Sequence, residues 1–337
     1  MNLSIIIPVH NAARTLKDCL ESVLRLACVQ EVICVDDGST DDSAALLSQF
    51  AARDKRIQLL HTSSQGAGAA RNKGLAAAQG FWLWFIDADD FIPSNSFADQ
   101  LGKTLNENSS ADIILFNASE LDDRTHWRTP LPFNLKTAAE RSALSWLIAA
   151  GTAPWNKIFR RDFITAHHLT FQEIARTNDV AFVVTALALA QTIRILPATG
   201  YIYRINASTS LQQTTAASPL CFHDAIQEIA ARLKAHNAFT SNEAAFKFLA
   251  LRMIIGNIFS FRSKQTFLEV CSFLHQAGDE FGTLSNQNCR GTHFLLATYR
   301  TILAGRLPNR ALGRIRFSIY NRGFIPFFKH AIGRLLK

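Results

Sequence analysis

Phe81-Trp82-Leu83-Trp84-Phe85-Ile86-Asp87-Ala88-Asp89-Asp90 decides how this chain is read. Six consecutive large apolar residues suit a strand buried on both faces, as in a parallel sheet under helices. The run then stops on three carboxylates within four residues. Similar segments precede it. Leu3–Val9, Glu31–Asp36 and Ile57–Thr62 are short and rich in β-branched or apolar residues, and Asp112–Asn117 follows with the same character. Helical patterns lie between them. In Ala12–Leu26, residues Leu16, Leu20, Val23 and Leu24 share one face. Asp41-Asp42-Ser43 offers N-cap chemistry for a second helix, and Ala67–Ala78 is Ala-rich. This alternation predicts an α/β fold: a Rossmann-like, mostly parallel sheet with helices on both faces.

From about residue 118 to 215 the pattern loosens, with Pro130, Pro132 and Pro154 marking loops. Beyond 216 the chain reads as helical, with an apolar face of Phe246, Leu249, Ala250, Met253 and Ile254. The expected organisation is therefore 1–215 for the sheet domain and 216–337 for a helical C-terminal region.

With 48% apolar residues in 337, the chain is neither disordered nor collagen-like. Its six cysteines form no C-x-x-C pair, so they read as buried thiols in a reducing compartment. No basic residue precedes Leu3–Val9 and no cleavage signature follows it, so no secretory signal is expected. Val180–Ala190, the longest apolar stretch, is too short to span a bilayer and reads as a core helix.

In open α/β sheets, ligands collect at the carboxyl ends of the strands. Here those ends carry Pro8-Val9-His10-Asn11, Asp36-Asp37-Gly38-Ser39-Thr40-Asp41, Gly66-Ala67-Gly68-Ala69-Ala70-Arg71-Asn72-Lys73-Gly74 and Asp87-Ala88-Asp89-Asp90. Clustered carboxylates suit a hard divalent cation; a solvated turn capping the next helix is the plain alternative. The glycine-containing loop, with Arg71 and Lys73, could offer backbone N–H groups to phosphate, or be a flexible loop with two surface cations. It is no dinucleotide fingerprint, because the third glycine is missing and the first strand–helix turn has none. That disfavours a nicotinamide-dependent dehydrogenase. A sugar nucleotidylyltransferase is disfavoured by the lack of a Gly-rich, Arg-containing loop after the first strand.

Taken in order, these four motifs resemble the family 2 glycosyltransferases, inverting enzymes with the GT-A fold. The resemblance is dense over residues 1–120. It continues more thinly through Trp155-Asn156-Lys157-Ile158-Phe159-Arg160-Arg161 and Asn178-Asp179-Val180-Ala181-Phe182. It implies a nucleotide-sugar donor, usually linked to UDP. Pro8, His10, Asn11 and Asp37 would hold the nucleobase. Arg71 would approach the ribose or diphosphate, Asp87 would contact the donor, and Asp89 would ligate Mn2+ or Mg2+. Asp179 would be the general base, with Asp90 the second choice. Many relatives have Tyr at the place of His10, and relatives often have Glu-Asp where this chain has Asn178-Asp179. As a residue, Asp179 also suits the N-cap of the apolar helix after it. Trp155 suits either a sugar platform or the core. His167-His168 has no partner pair at metal-ligand spacing and reads as structural or surface.

The net charge of +8 is unevenly placed: residues 281–337 hold ten Lys or Arg and no acidic residue. From Arg306 onward, cations alternate with large apolar residues. Phe327, Phe328, Ala331, Ile332 and Leu335 can share a helical face edged by Lys329, Arg334 and Lys337. That predicts a tail lying on an anionic membrane surface, or an ordinary helical subdomain with a basic exterior. Nucleic acid is set aside as a partner, because the front of the chain already accounts for a nucleotide as substrate. The resemblance adds a glycan or lipid-linked acceptor, in lipopolysaccharide or capsule synthesis at the cytoplasmic face of the inner membrane. A non-catalytic nucleotide-sugar-binding scaffold is the alternative. The sequence leaves the sugar, the linkage and the oligomeric state open.

Overall fold

The apolar runs become strands of one eight-stranded sheet. The structure, a computed structural model, describes residues 2–93, 96–131, 151–205, 218–283 and 293–322. The chain divides into two compact units, residues 1–210 and 211–337. Residues at the expected 215/216 boundary lie outside the described segments, as do Pro132 and the tail residues 327–337.

In the first unit, β1 (Leu3–Val9) is flanked in parallel by β2 (Val29–Asp37) and β4 (Trp82–Phe85), and β3 (Ile57–Thr62) continues in parallel outside β2. The connections are α1 (Leu16–Leu24), α2 (Ser43–Arg53) and α3 (Ala67–Ala77). Strands that are buried on both faces need little polar surface, and every residue of β4 is buried. α4 (Phe97–Glu107) follows.

The loosely patterned region continues the sheet. β5 (Ile113–Asp122) runs beyond the predicted Asn117. One of its edges pairs antiparallel with β7 (Lys157–Arg160) and then β6 (Arg128–Pro130), while the other pairs in parallel with β8 (Ile193–Ile205). β7 is also antiparallel to β4, so β4, β5 and β8 all point the same way. α5 (Arg161–Ala166) and α6 (Val180–Leu189) lie between β7 and β8. α6 is the predicted core helix: Val180 through Leu187 are all buried. Phe171 stacks on Phe182 of α6 with centroids 4.1 Å apart, and Phe85 and Phe159 meet the same ring edge-on at 5.5 and 5.2 Å.

The second unit is helical: α7 (Cys221–Ala235), α8 (Phe239–Ser260), α9 (Lys264–Ala277), α10 (His293–Leu303) and α11 (Arg310–Arg322). Phe246, Leu249, Ala250 and Ile254 are buried as their spacing predicts, while Met253 is half-buried. Among the described residues, no helix is long and apolar enough to cross a membrane.

Candidate active site

The carboxyl ends of β1, β2 and β4 meet on one rim, and hydrogen bonds bind their loops together. Asn11 sits at φ +51°, a left-handed conformation that Asn tolerates. Its Oδ1 accepts from the Thr40 N–H at 2.8 Å, and its own N–H donates to Ser39 Oγ at 3.1 Å. His10 Nδ1 donates to the Asp37 carbonyl at 2.8 Å, leaving Nε2 as acceptor for Asn11 Nδ2 at 3.2 Å. Pro8 is half-buried at the end of β1, and the His10 ring is exposed. Asp41 accepts from the Ala13 and Ser43 N–H groups, both at 3.0 Å, so it caps α2 and ties it to the β1 loop.

Asp37 departs from a simple ligand-holding picture. Its carboxylate accepts from Thr62 Oγ1 at 2.6 Å, Gln65 N at 2.8 Å and Gly66 N at 2.7 Å. Burial pushes this acid up, but those three hydrogen bonds outweigh it and hold it below the usual carboxylate range. Within the Gly66–Gly74 loop, the Gly66 N–H is thus already taken by Asp37. One acceptor position of about four remains on the Asp37 carboxylate.

The Gly66–Gly74 segment fastens the loop that carries Asp179. A Cβ on Gly68 would stand 2.2 Å from the Gln172 carbonyl oxygen, so only glycine lets these backbones approach so closely. Asn72 pairs with the backbone of Phe171 in both directions, accepting at 2.7 Å and donating at 2.9 Å. Gln172 N–H donates to the Asn178 carbonyl at 3.0 Å and closes the loop.

Arg71 is the hub. Buried over the Phe171 ring, it donates from Nη2 to Asp87 Oδ1 at 2.6 Å and from Nη1 to Asn178 Oδ1 at 2.8 Å. Its Nε is buried with no hydrogen-bond partner. Burial works against its charge, yet Asp87 and Asp179 hold the proton more firmly than usual.

Asp87, Asp89 and Asp90 present carboxylate oxygens within 4.8 Å of one another. Their roles differ. Asp90 is fully buried, accepting from Tyr201 Oη at 2.7 Å and from the Arg204 N–H at 2.7 Å. Tyr201 Oη in turn accepts from the Asp87 N–H at 3.1 Å. Asp90 is therefore the anchor of the acidic loop on β8. Among the described residues, Asp89 neither holds an arginine nor anchors a strand. Burial, then the neighbouring Asp87, push its acid up to about 6. Hard oxygen donors in excess of nearby cations fit a divalent ion, with Asp89 and Asp87 the members placed to hold it.

Asp179 is the residue at the N-cap of α6, but its side chain makes no capping hydrogen bond. Burial raises its acid, Arg71 opposes that, and Asp87 adds to it. Lys157 is wholly buried at the start of β7, donating to the Ala153 carbonyl and Asn156 Oδ1, both at 2.7 Å. Burial pushes its ammonium down to about 7, against the pull of Asp179. Trp155 belongs to the core: it stacks on Tyr201 at 4.7 Å and on Tyr203 at 5.7 Å. Tyr201 and Arg204 carry no site motif in the sequence and join the site only through their contacts with Asp90, while Asn178 joins it through Arg71. The alternation of Tyr201-Ile202-Tyr203 was the available signal for a strand there.

Residues 4–167 match the model of Glycosyl transferase family 2. The first unit carries a family 2 glycosyltransferase domain. EpsJ, an uncharacterized glycosyltransferase of Bacillus subtilis (strain 168), is 31% identical over 222 residues, covering 61% of this chain and 62% of EpsJ. The poly(ribitol-phosphate) β-glucosyltransferase of Bacillus spizizenii is 25% identical over 267 residues, covering 77% of this chain and 40% of that protein. The chain thus spans less than two thirds of the length of both relatives. Residues 1–349 of S. aureus TarS, crystallised with UDP-GlcNAc, share the fold at a TM-score of 0.71 and 20% identity, covering 96% of this chain and 92% of that one. The sheet of the first unit is accordingly of the GT-A type, with the acidic loop at the carboxyl end of β4.

Proposed function

We propose that the chain is an inverting glycosyltransferase that moves a sugar from a UDP-linked donor to an acceptor hydroxyl, with Asp179 as general base. One observation carries the reading: a single buried guanidinium, Arg71, holds Asp87 of the acidic loop and Asn178 beside Asp179. In this reading the donor-side acid and the base share one buried support. TarS binds UDP and UDP-GlcNAc on the same fold, which supports a uridine nucleotide here.

In the reaction, the acceptor oxygen forms a bond to the anomeric carbon as the bond from that carbon to the diphosphate oxygen breaks. The electron pair leaves with the nucleoside diphosphate, and the acceptor proton passes to a carboxylate oxygen of Asp179. Its raised affinity for a proton suits that role, because a base must hold the proton it receives. Attack opposite the leaving group inverts the anomeric centre, so no covalent sugar–enzyme intermediate is required. Mn2+ or Mg2+ held by Asp89 with Asp87 would supply charge neutralisation to the diphosphate. Arg71 and the exposed His10 ring would orient the nucleotide. The acceptor in this reading is a glycan or lipid-linked glycan of surface-polysaccharide synthesis, met by a chain held peripherally at the inner membrane through its basic C-terminal residues.

The test is a pair of variants. Asp179→Asn should bind UDP as the native chain does and lose transfer by at least about a thousandfold. Asp89→Ala should lose the metal-dependent part of UDP binding in calorimetry. Full transfer by Asp179→Asn removes that residue from the base role, and UDP binding indifferent to Mn2+ removes the metal from Asp89.

A further inference from the structure

The turn between β5 and β6 is built to hold one aromatic side chain in water. Trp127 exposes 72% of its surface, whereas Trp82, Trp84 and Trp155 are buried. Its backbone is fixed all the same. The Trp127 carbonyl accepts from the Asp122 N–H at 3.0 Å, and the Asp122 carbonyl accepts from the His126 N–H at 2.7 Å. The hairpin is also tied down from outside. Asp123 accepts from Arg14 at 2.6 Å and from Arg204 at 3.3 Å, and Arg204 reaches on to Asp18 of α1 at 2.6 Å.

A lone exposed tryptophan is ordinary; its setting is what matters here. β5 runs in the same direction as β4, so the hairpin stands on the rim where Asp87 and Asp89 lie. Arg128 sits over the ring of Phe91, 5.9 Å from its centroid, and Phe91 is two residues beyond Asp89. Arg124, His126 and Arg128 flank Trp127 in the sequence, and residues 124–131 contain no acid. Of the acids on the β5 side of the hairpin, Asp123 is matched by two arginines, Asp122 accepts from the Arg124 N–H at 2.9 Å, and Glu120 lies opposite Thr129.

We propose that this hairpin is an acceptor subsite for an anionic glycan: Trp127 stacks on a sugar ring while Arg124 and Arg128 pair with its carboxylates or phosphates. The proposal rests on the glycosyltransferase reading, because it assigns the substrate that receives the sugar. A pyranose ring has an apolar C–H face that matches an indole, and guanidinium groups match planar or tetrahedral oxyanions through paired donors. A membrane is the weaker occupant. Within residues 124–130, Trp127 is the one large apolar side chain, too little for an interfacial anchor.

Two matched probes test this on the full chain. One is a β-1,4-linked mannuronate hexasaccharide; the other is mannohexaose, which lacks only the carboxylates. Calorimetry should show saturable binding of the first and at least tenfold weaker binding of the second. Trp127→Ala and Arg128→Ala should each weaken mannuronate binding at least tenfold, Trp127→Phe should restore most of it, and UDP affinity should stay unchanged in all three. No mannuronate binding by the native chain, equal binding of both probes, or unchanged binding in Trp127→Ala overturns the subsite. So does loss of sedimentation with phosphatidylglycerol vesicles in Trp127→Ala without loss of glycan binding. Absence of UDP binding in the native chain would instead fail the glycosyltransferase reading, and calorimetry reads that separately.

Discussion

Lys157 is an ammonium with no exposed surface, held by two acceptors and the field of Asp179. Its proton affinity is lowered from about 10.5 in the unfolded chain to about 7 in the fold. Between those values the unfolded chain binds the extra proton, so stability must rise with pH across that window. From pH 7 to pH 9 the gain should be about 2 kcal/mol. Lys157→Met should flatten that rise, whatever its effect on stability at pH 7. Denaturant unfolding of both proteins at the two pH values checks this, and parallel slopes would place the titrating group elsewhere. Asp90 makes a related point. Three aspartates in four positions look alike in sequence, yet one of them is spent on Tyr201 and the Arg204 N–H.

At the scale of elements, α3 does work that its motif does not advertise. Gly66-x-Gly68-x-Ala70-Arg71-Asn72 reads as either a phosphate loop or a flexible loop with two cations, and in the fold it also clamps residues 171–178. Gly68→Ala would drive a methyl group into the Gln172 carbonyl oxygen, 2.2 Å from the Cβ position, so that one of the two backbones must shift. The expected cost is about 3 kcal/mol, read as a lower midpoint of urea unfolding. Because the same loop presents Asp179, transfer should fall further than UDP affinity. An alanine variant with native stability and rate would show that the two backbones separate freely. A comparable reassignment holds in the basic region. Arg310 donates to the Phe261 and Arg262 carbonyls, and Arg314 to those of Phe259 and Phe261, in the last turn of α8 and just past it. Cations there satisfy carbonyls that a helix end leaves unpaired, so at least these two arginines are engaged within their own unit.

For the whole molecule, the charge imbalance is the property that matters most. Without the ten cations of residues 281–337, the chain would hold 25 basic against 27 acidic residues. If the excess binds a membrane, attraction should depend on ionic strength, because salt screens exposed charges beyond about 10 Å at 0.1 M. The full chain should sediment with phosphatidylglycerol vesicles at low salt and be released at high salt, while phosphatidylcholine vesicles should leave it in solution. Sedimentation indifferent to salt and lipid charge would leave the cations a role within the helical unit. The parallel half of the sheet could be read directly from sequence: β1 and β4 are buried on both faces and almost wholly apolar, and the partly exposed edge strand β3 also matches its expected limits. The motifs at the strand ends were legible for a related reason: strand direction alone collects them on one rim. β6, β7 and β8 escaped notice, since short antiparallel and partly exposed strands mix polar with apolar residues and carry no single period. Which carboxylate anchors, which one pairs with Arg71 and which one stays available depended on partners 16 to 114 residues away along the chain. Such pairings follow from how strands and loops pack in three dimensions, and no local pattern of residues encodes them.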